Sequence, residues 1–315
     1  MLKRVSRAAA WLVTAALLFL LFRKIPFATV VGAARGAAPW TIPLGVAGVA
    51  AIYFADSFAI WKTFAWFVAP LSYAQVLVVR GATYLLAAIN YNVGQGAIVY
   101  FVHRVTGAPV LRGVATVLLI MGVNVLALLV LASVGLAVAP DVPHAVAVIV
   151  SVAYAGLAVY AVAVALKPAW LARRPVFDVL LAAGPRGHAR ALLVRVPHIV
   201  ALMVYQTSML RAFGVAVPIA QAVAALPIVF FIAVLPISVQ GLGTTQAAMV
   251  YFFARYAPGN IEAQKAAVLA ASLVGQALAL TLQAALGIGC LRSRVGRELK
   301  TAAADAAAPV APAPP

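Results

Sequence analysis

Along the chain, long apolar stretches alternate with short breaks that carry Lys, Arg, Gly and Pro. An α-helix needs about 20 residues to cross the ~30 Å hydrocarbon layer of a bilayer. Eight runs reach or approach that length: Ala8–Phe22, Thr41–Ile60, Leu71–Ile89, Gly113–Val138, Ala145–Leu166, Ala191–Leu210, Pro218–Leu235 and Ala266–Cys290. Two shorter apolar pieces, Ala97–Val102 and Thr244–Phe253, follow Gly-rich breaks. They read as half-helices or re-entrant segments, because broken backbone survives at membrane depth only where protein or a cavity satisfies it. The pattern predicts an all-α fold: a polytopic membrane helix bundle of about eight spans plus two short broken or re-entrant helices. It forms one integral membrane domain over residues 1–300, and the Ala/Pro-rich stretch 301–315 reads as a disordered tail.

Composition agrees. The 315 residues are 66% apolar and 9% charged, too few charges to cover a water-facing surface. Lys and Arg number 23 against 6 acids, a formal charge of +17. That excess does not signal nucleic acid, because the basic residues sit at the ends of apolar runs, where they orient helices and meet anionic lipid. Arg23 and Lys24 directly follow the first run, so it reads as a retained anchor rather than a cleaved signal peptide. With both short pieces counted as crossings, Lys and Arg number 16 to 6 in favour of the side holding the N-terminus, with Arg195 counted among the loop charges. Both termini are therefore expected in the cytoplasm, with the protein in the cytoplasmic (inner) membrane. Cys290 is the single cysteine, which excludes an intrachain disulfide.

The chain also resembles itself. Aligning Val99-Tyr100-Phe101 with Val250-Tyr251-Phe252 places Arg104 on Arg255, and each copy follows a long span and a Gly/amide break. The halves run about 1–138 and 145–290. Counting one short helix and four long spans gives five crossings between the copies, which makes the repeat inverted, as in alternating-access carriers with a site at the repeat interface; a bundle that merely duplicated is the alternative.

The two breaks hold the candidate substrate-binding residues: Asn90, Asn92, Gly94, Gln95 and Gly96 in the first. The second holds Ser238, Gln240, Gly241, Gly243, Thr244, Thr245 and Gln246, after Pro236. Glycine lets another group approach the backbone, and the N–H groups freed at a helix start favour an anion. Uncharged amides can bind a head group without the cost of burying a formal charge. Helix packing is the alternative use of such residues. Asp56 is the sole acid within any apolar run, and Arg80 lies inside the next one. An intramembrane charge pair is a functional candidate, with a purely structural pair as the alternative. His103 and Arg104 are candidates for contact with a head group at the membrane rim.

Scattered acids and dispersed histidines give no catalytic set, no metal site, no nucleotide loop and no cofactor motif, so a non-enzyme is expected.

The stretch "LPISVQGLGTTQAAMVYFF", with Pro236, Ser238, Gly241, Gly243 and Thr244–Gln246, resembles the lysylphosphatidylglycerol synthase transmembrane-region family of flippase-like proteins. "NYNVGQGAIVYFVHRVTGAPVLRGVATVLL" is similar to that family's earlier element. The resemblance implies a protein that translocates or handles a lipid or lipid-linked molecule, such as a phospholipid, polyprenyl-linked glycan or hopanoid. These 315 residues do not include the soluble aminoacyl-transferring domain of bifunctional members, so lipid aminoacylation is not expected of them. Family sequences often carry an acid after each break, where this chain has Gln95 and Gln246. Expected partners are the lipid cargo, anionic lipid at the basic loops, and a homo-oligomeric copy or a lipid-modifying enzyme. A small-solute secondary transporter and a non-transporting scaffold for such an enzyme are the competing readings.

Overall fold

The computed structural model describes residues 2–89, 91–139, 144–234, 238 and 241–293, with side chains assigned over most of them. The described residues are helical almost throughout. In order they are α1 (Leu2–Lys24), α2 (Phe27–Arg35), α3 (Thr41–Phe67), α4 (Tyr73–Ile89), α5 (Tyr91–Thr106) and α6 (Val110–Val138). Then follow α7 (His144–Leu166), α8 (Ala169–Ala172), α9 (Asp178–Ala212), α10 (Ile219–Val234), α11 (Thr244–Phe253) and α12 (Ile261–Arg292). Among the described residues, five helices are long and apolar enough to cross a membrane, or six if the bent pair α1–α2 forms one span. An all-helical membrane bundle is therefore observed, with fewer long spans than the eight expected.

The difference lies in two hairpins. The runs Leu71–Ile89 and Pro218–Leu235 appear as α4 and α10, of 17 and 16 residues. Each is the first arm of a pair. In the first hairpin, Val76 and Val79 of α4 pack with Ile98 and Val102 of α5. A Cβ on Gly94 would lie 2.6 Å from that of Ala87, so the arms approach closely beside the turn. The ends of this hairpin sit beside the end of α3: Trp61 donates to the Leu71 carbonyl at 2.7 Å, and Arg112 Nε donates to the Phe67 carbonyl at 2.6 Å. We call this end of the bundle the Phe67 face.

The second hairpin enters from the other end. Ala38 N–H donates to the Ala212 carbonyl, which places the start of α3 beside the end of α9 at what we call the Thr41 face. Just after Ala212, Ala216 N–H donates to the Tyr256 carbonyl at 3.0 Å, closing the mouth of α10–α11. Phe252 and Phe253 pack there among Leu210, Val215, Val217 and Leu226. Gly135 of α6 lies directly against the Ala224 backbone, so α10 runs antiparallel to α6. The two hairpins thus have their mouths at opposite faces of the bundle.

In chain order two long helices flank each hairpin, α3 and α6 around α4–α5 and α9 and α12 around α10–α11, while in space α4 packs mainly on α12 and α10 mainly on α6. α3 and α9 pack antiparallel along the centre, with Gly48 against Tyr205 and Gly187 against Phe67. α9 begins well before Ala191 and bends at Gly184, whose φ is 55°. α7 lies at the periphery and exposes Val152, Val159 and Leu166. α2, absent from the pattern-based expectation, turns off α1 by 84° after Pro26.

Candidate functional site

At the middle of the bundle, where a soluble protein would place only hydrocarbon, the helices converge on charge. Asp56 of α3 is 2% exposed. Its Oδ2 accepts from Arg80 Nε of α4 at 2.5 Å, and its Oδ1 accepts from Arg195 Nη1 of α9. Arg195 Nε also donates to Asn124 Oδ1 of α6 at 3.0 Å. His198, one turn beyond Arg195, places Nδ1 at 3.8 Å from the same carboxylate. The Arg80 guanidinium lies 4.5 Å from the Tyr84 ring centroid, a cation–π contact within its own helix. Burying a carboxylate costs several kcal/mol unless it is paired and hydrogen-bonded, and the two guanidiniums meet that need.

Beside this cluster is a cavity of about 220 Å³. Its polar wall is Asp56, Arg80, Gln95, Asn124, Arg195 and His198. Ile60, Ile120, Leu128 and Leu202 contribute to the apolar remainder, with Phe230 and Ala233 from α10. Both hairpins therefore reach the cavity: the first through Arg80 and Gln95, the second through the end of α10. The volume holds several waters or a small polar group.

The sequence-derived candidates divide into three sets. Asp56, Arg80 and Gln95 meet in the cavity wall. The expected first break is mostly helix instead: Asn92, Gly94, Gln95 and Gly96 all lie within α5. Asn90 lies outside the described residues. Gly94 serves close helix contact, while Gly96 has open space around it.

The second break is a true interruption. Gly241 and Gly243 have φ of 69° and 86°, where a side chain is strained. Ser238 and Thr244 exchange a hydrogen bond at 2.9 Å, and Thr244 donates to the Gly241 carbonyl. Gly243 packs on Leu17 of α1, and the buried Thr245 Oγ1 lies near Gly241. Gln246 is fully buried: its Oε1 accepts from Gly243 N–H at 2.6 Å, and its Nε2 donates to Gln276 Oε1 at 2.7 Å. These residues shape the turn and the start of α11 and do not line the cavity. Gln240 lies outside the described residues.

His103 and Arg104 stand apart, at the Phe67-face end of α5. His103 Nδ1 lies 2.8 Å from the Ala108 carbonyl oxygen, and Arg104 stacks over Tyr100.

Sequence reasoning missed Asn124, Arg195 and His198. Arg195 counted as a loop charge is a correction: it is 7% exposed in the interior of α9. One signal pointed to it, since Arg195 and His198 fall at i and i+3 within an apolar run and share one helix face. Among the described residues, no three His, Cys, Asp or Glu side chains converge as metal ligands.

Compared with known proteins, the chain matches no family model and no curated sequence.

Proposed function

We propose that this protein translocates a lipid or lipid-linked molecule across the cytoplasmic membrane, with the central cavity as its passage site. One observation carries the reading: a charged cavity at the centre of an apolar bundle is walled by two helical hairpins entering from opposite faces. Charge is placed at membrane depth at considerable cost, and its usual uses are a pathway or a ligand. Hairpins and broken helices at the bundle centre are the parts from which alternating-access sites are built. The order long helix, hairpin, long helix occurs as α3–α6 and again as α9–α12. We read this as an inverted repeat, with α5 equivalent to α11, consistent with the matched Val99-Tyr100-Phe101 and Val250-Tyr251-Phe252. Arg112 donates to the Phe67 carbonyl and Gly187 packs on Phe67, so Arg112, Arg186 and Arg190 lie toward the Phe67 face, with Arg173 and Arg174 in the connection before α9. We assign that face to the cytoplasm on the positive-inside rule. The flippase-like resemblance points the same way.

Reconstitution tests the reading. Vesicles carrying a fluorescent phospholipid in both leaflets are treated with an impermeant quencher, and the protein is expected to expose the inner-leaflet pool. Gln95→Trp, which fills the cavity from α5, is expected to suppress the exchange while the protein elutes as a monodisperse folded species. Exchange at the protein-free rate by wild type with every phospholipid tried, or undiminished exchange by Gln95→Trp, would refute translocation through this cavity.

A further inference from the structure

Building on the translocation reading, we infer that the cargo is an anionic amphiphile, with a phosphate-type head group in the central cavity and its hydrocarbon chain in a separate slot under α7. The first observation is a charge imbalance. Two guanidiniums face one carboxylate in the cavity wall, leaving at least one formal positive charge. Among the described residues, no other acid lines the cavity: Asp178 and Glu262 sit in the first turns of α9 and α12. Asp141, Glu298 and Asp305 lie outside the described residues. An excess charge in an apolar interior is costly, and a bound anion offsets it. The planar guanidinium fork is suited to phosphate oxygens, and Arg195 is already oriented by Asp56 and Asn124.

The second observation is a purely apolar cavity of about 280 Å³ between α6, α7 and α10. Leu129, Ala132, Ile149, Ala153, Ile228 and Phe231 are among its walls. It adjoins the polar cavity, because Leu128 lines both. Phe230 faces the polar cavity and its neighbour Phe231 the apolar one. Val148 and Val152, on the outer rim of the slot, are exposed at the bundle periphery. A head group on the arginines therefore has a route for its chain past Leu128 towards the bilayer. A free inorganic anion would use the first cavity and ignore the second.

Native mass spectrometry of the purified full chain in detergent, with equimolar phosphatidylglycerol and phosphatidylcholine, tests this. Wild type is expected to retain phosphatidylglycerol about tenfold over phosphatidylcholine, because both carry the phosphate but the choline cation cancels the net negative charge that offsets the extra arginine. Asn124→Asp places a second carboxylate against Arg195, cancels the excess charge and is expected to abolish the preference without loss of fold. Ala153→Trp fills the slot and is expected to lower phosphatidylglycerol retention while leaving stabilisation by inorganic phosphate unchanged. Equal retention of both lipids by wild type, or a preference that survives in Asn124→Asp, overturns the anionic head group. Phosphate binding as tight as phosphatidylglycerol, together with an inert Ala153→Trp, overturns the lipid chain and leaves a free-anion site. Lipid exchange without any preference for phosphatidylglycerol refutes this inference and spares translocation. Preference without exchange does the reverse.

Discussion

At the scale of single residues, the same side-chain chemistry serves two purposes in this molecule, and burial with partners tells them apart. Gln95 and Gln246 look equivalent in sequence, each beside a glycine pair in a matched segment. Gln95 faces a cavity, whereas both ends of the Gln246 amide are engaged with Gly243 and Gln276. Gln246→Ala should therefore act on stability. It removes the acceptor of the buried Gly243 N–H and a hydrogen bond to Gln276, at a cost of about 1–3 kcal/mol. Thermal unfolding in detergent should show a lowered midpoint, and an unchanged midpoint would contradict the assignment. Asp56 and Arg80 were legible because an acid inside an apolar run must find a cation, and Arg80 occupies the adjoining antiparallel helix. Arg195 was not legible as part of the cluster. It lies near the start of its apolar run, and charge near a run's end is read as a loop anchor unless the helix is known to begin earlier. α9 begins at Asp178, which puts Arg195 well inside it.

At the scale of elements, glycine explains both the success and the failure of the expected breaks. Gly241 and Gly243 need the backbone conformation that only glycine adopts easily, and the helix stops there. Gly94 needs no unusual backbone; it is small because Ala87 lies across the hairpin. Composition alone cannot separate these two uses, so α5 was expected to begin after its glycines and instead contains them. The contrast is testable on α6. A side chain at Gly135 meets the Ala224 backbone, while one at Gly122 meets nothing within 4 Å. Gly135→Ala should force α6 and α10 apart at a cost of about 1–3 kcal/mol, typical of overpacking. Gly122→Ala should be neutral or slightly stabilising, since alanine is the better helix former. Equal unfolding midpoints for the two variants would mean that α6 and α10 do not pack as described.

At the scale of the whole molecule, hydropathy revealed the class of fold but not which segments turn back. A 17-residue arm of a hairpin and a short span have the same composition, so hydropathy does not separate them. The hydrogen bond from Ala216 to Tyr256 shows instead that α10 and α11 leave and return to the same face. With the hairpins placed, the charges of α3, α4 and α9 and the amides of α5 and α6 fall around one cavity. Translocation requires that cavity to open in turn to each side of the membrane. The accessibility of Gln95→Cys in a Cys290→Ser background tests this most directly, using oriented vesicles and an impermeant maleimide applied from either side. Alkylation from both faces is expected. Protection from both, or modification from one face only, would contradict it and leave the buried charges as a structural cluster.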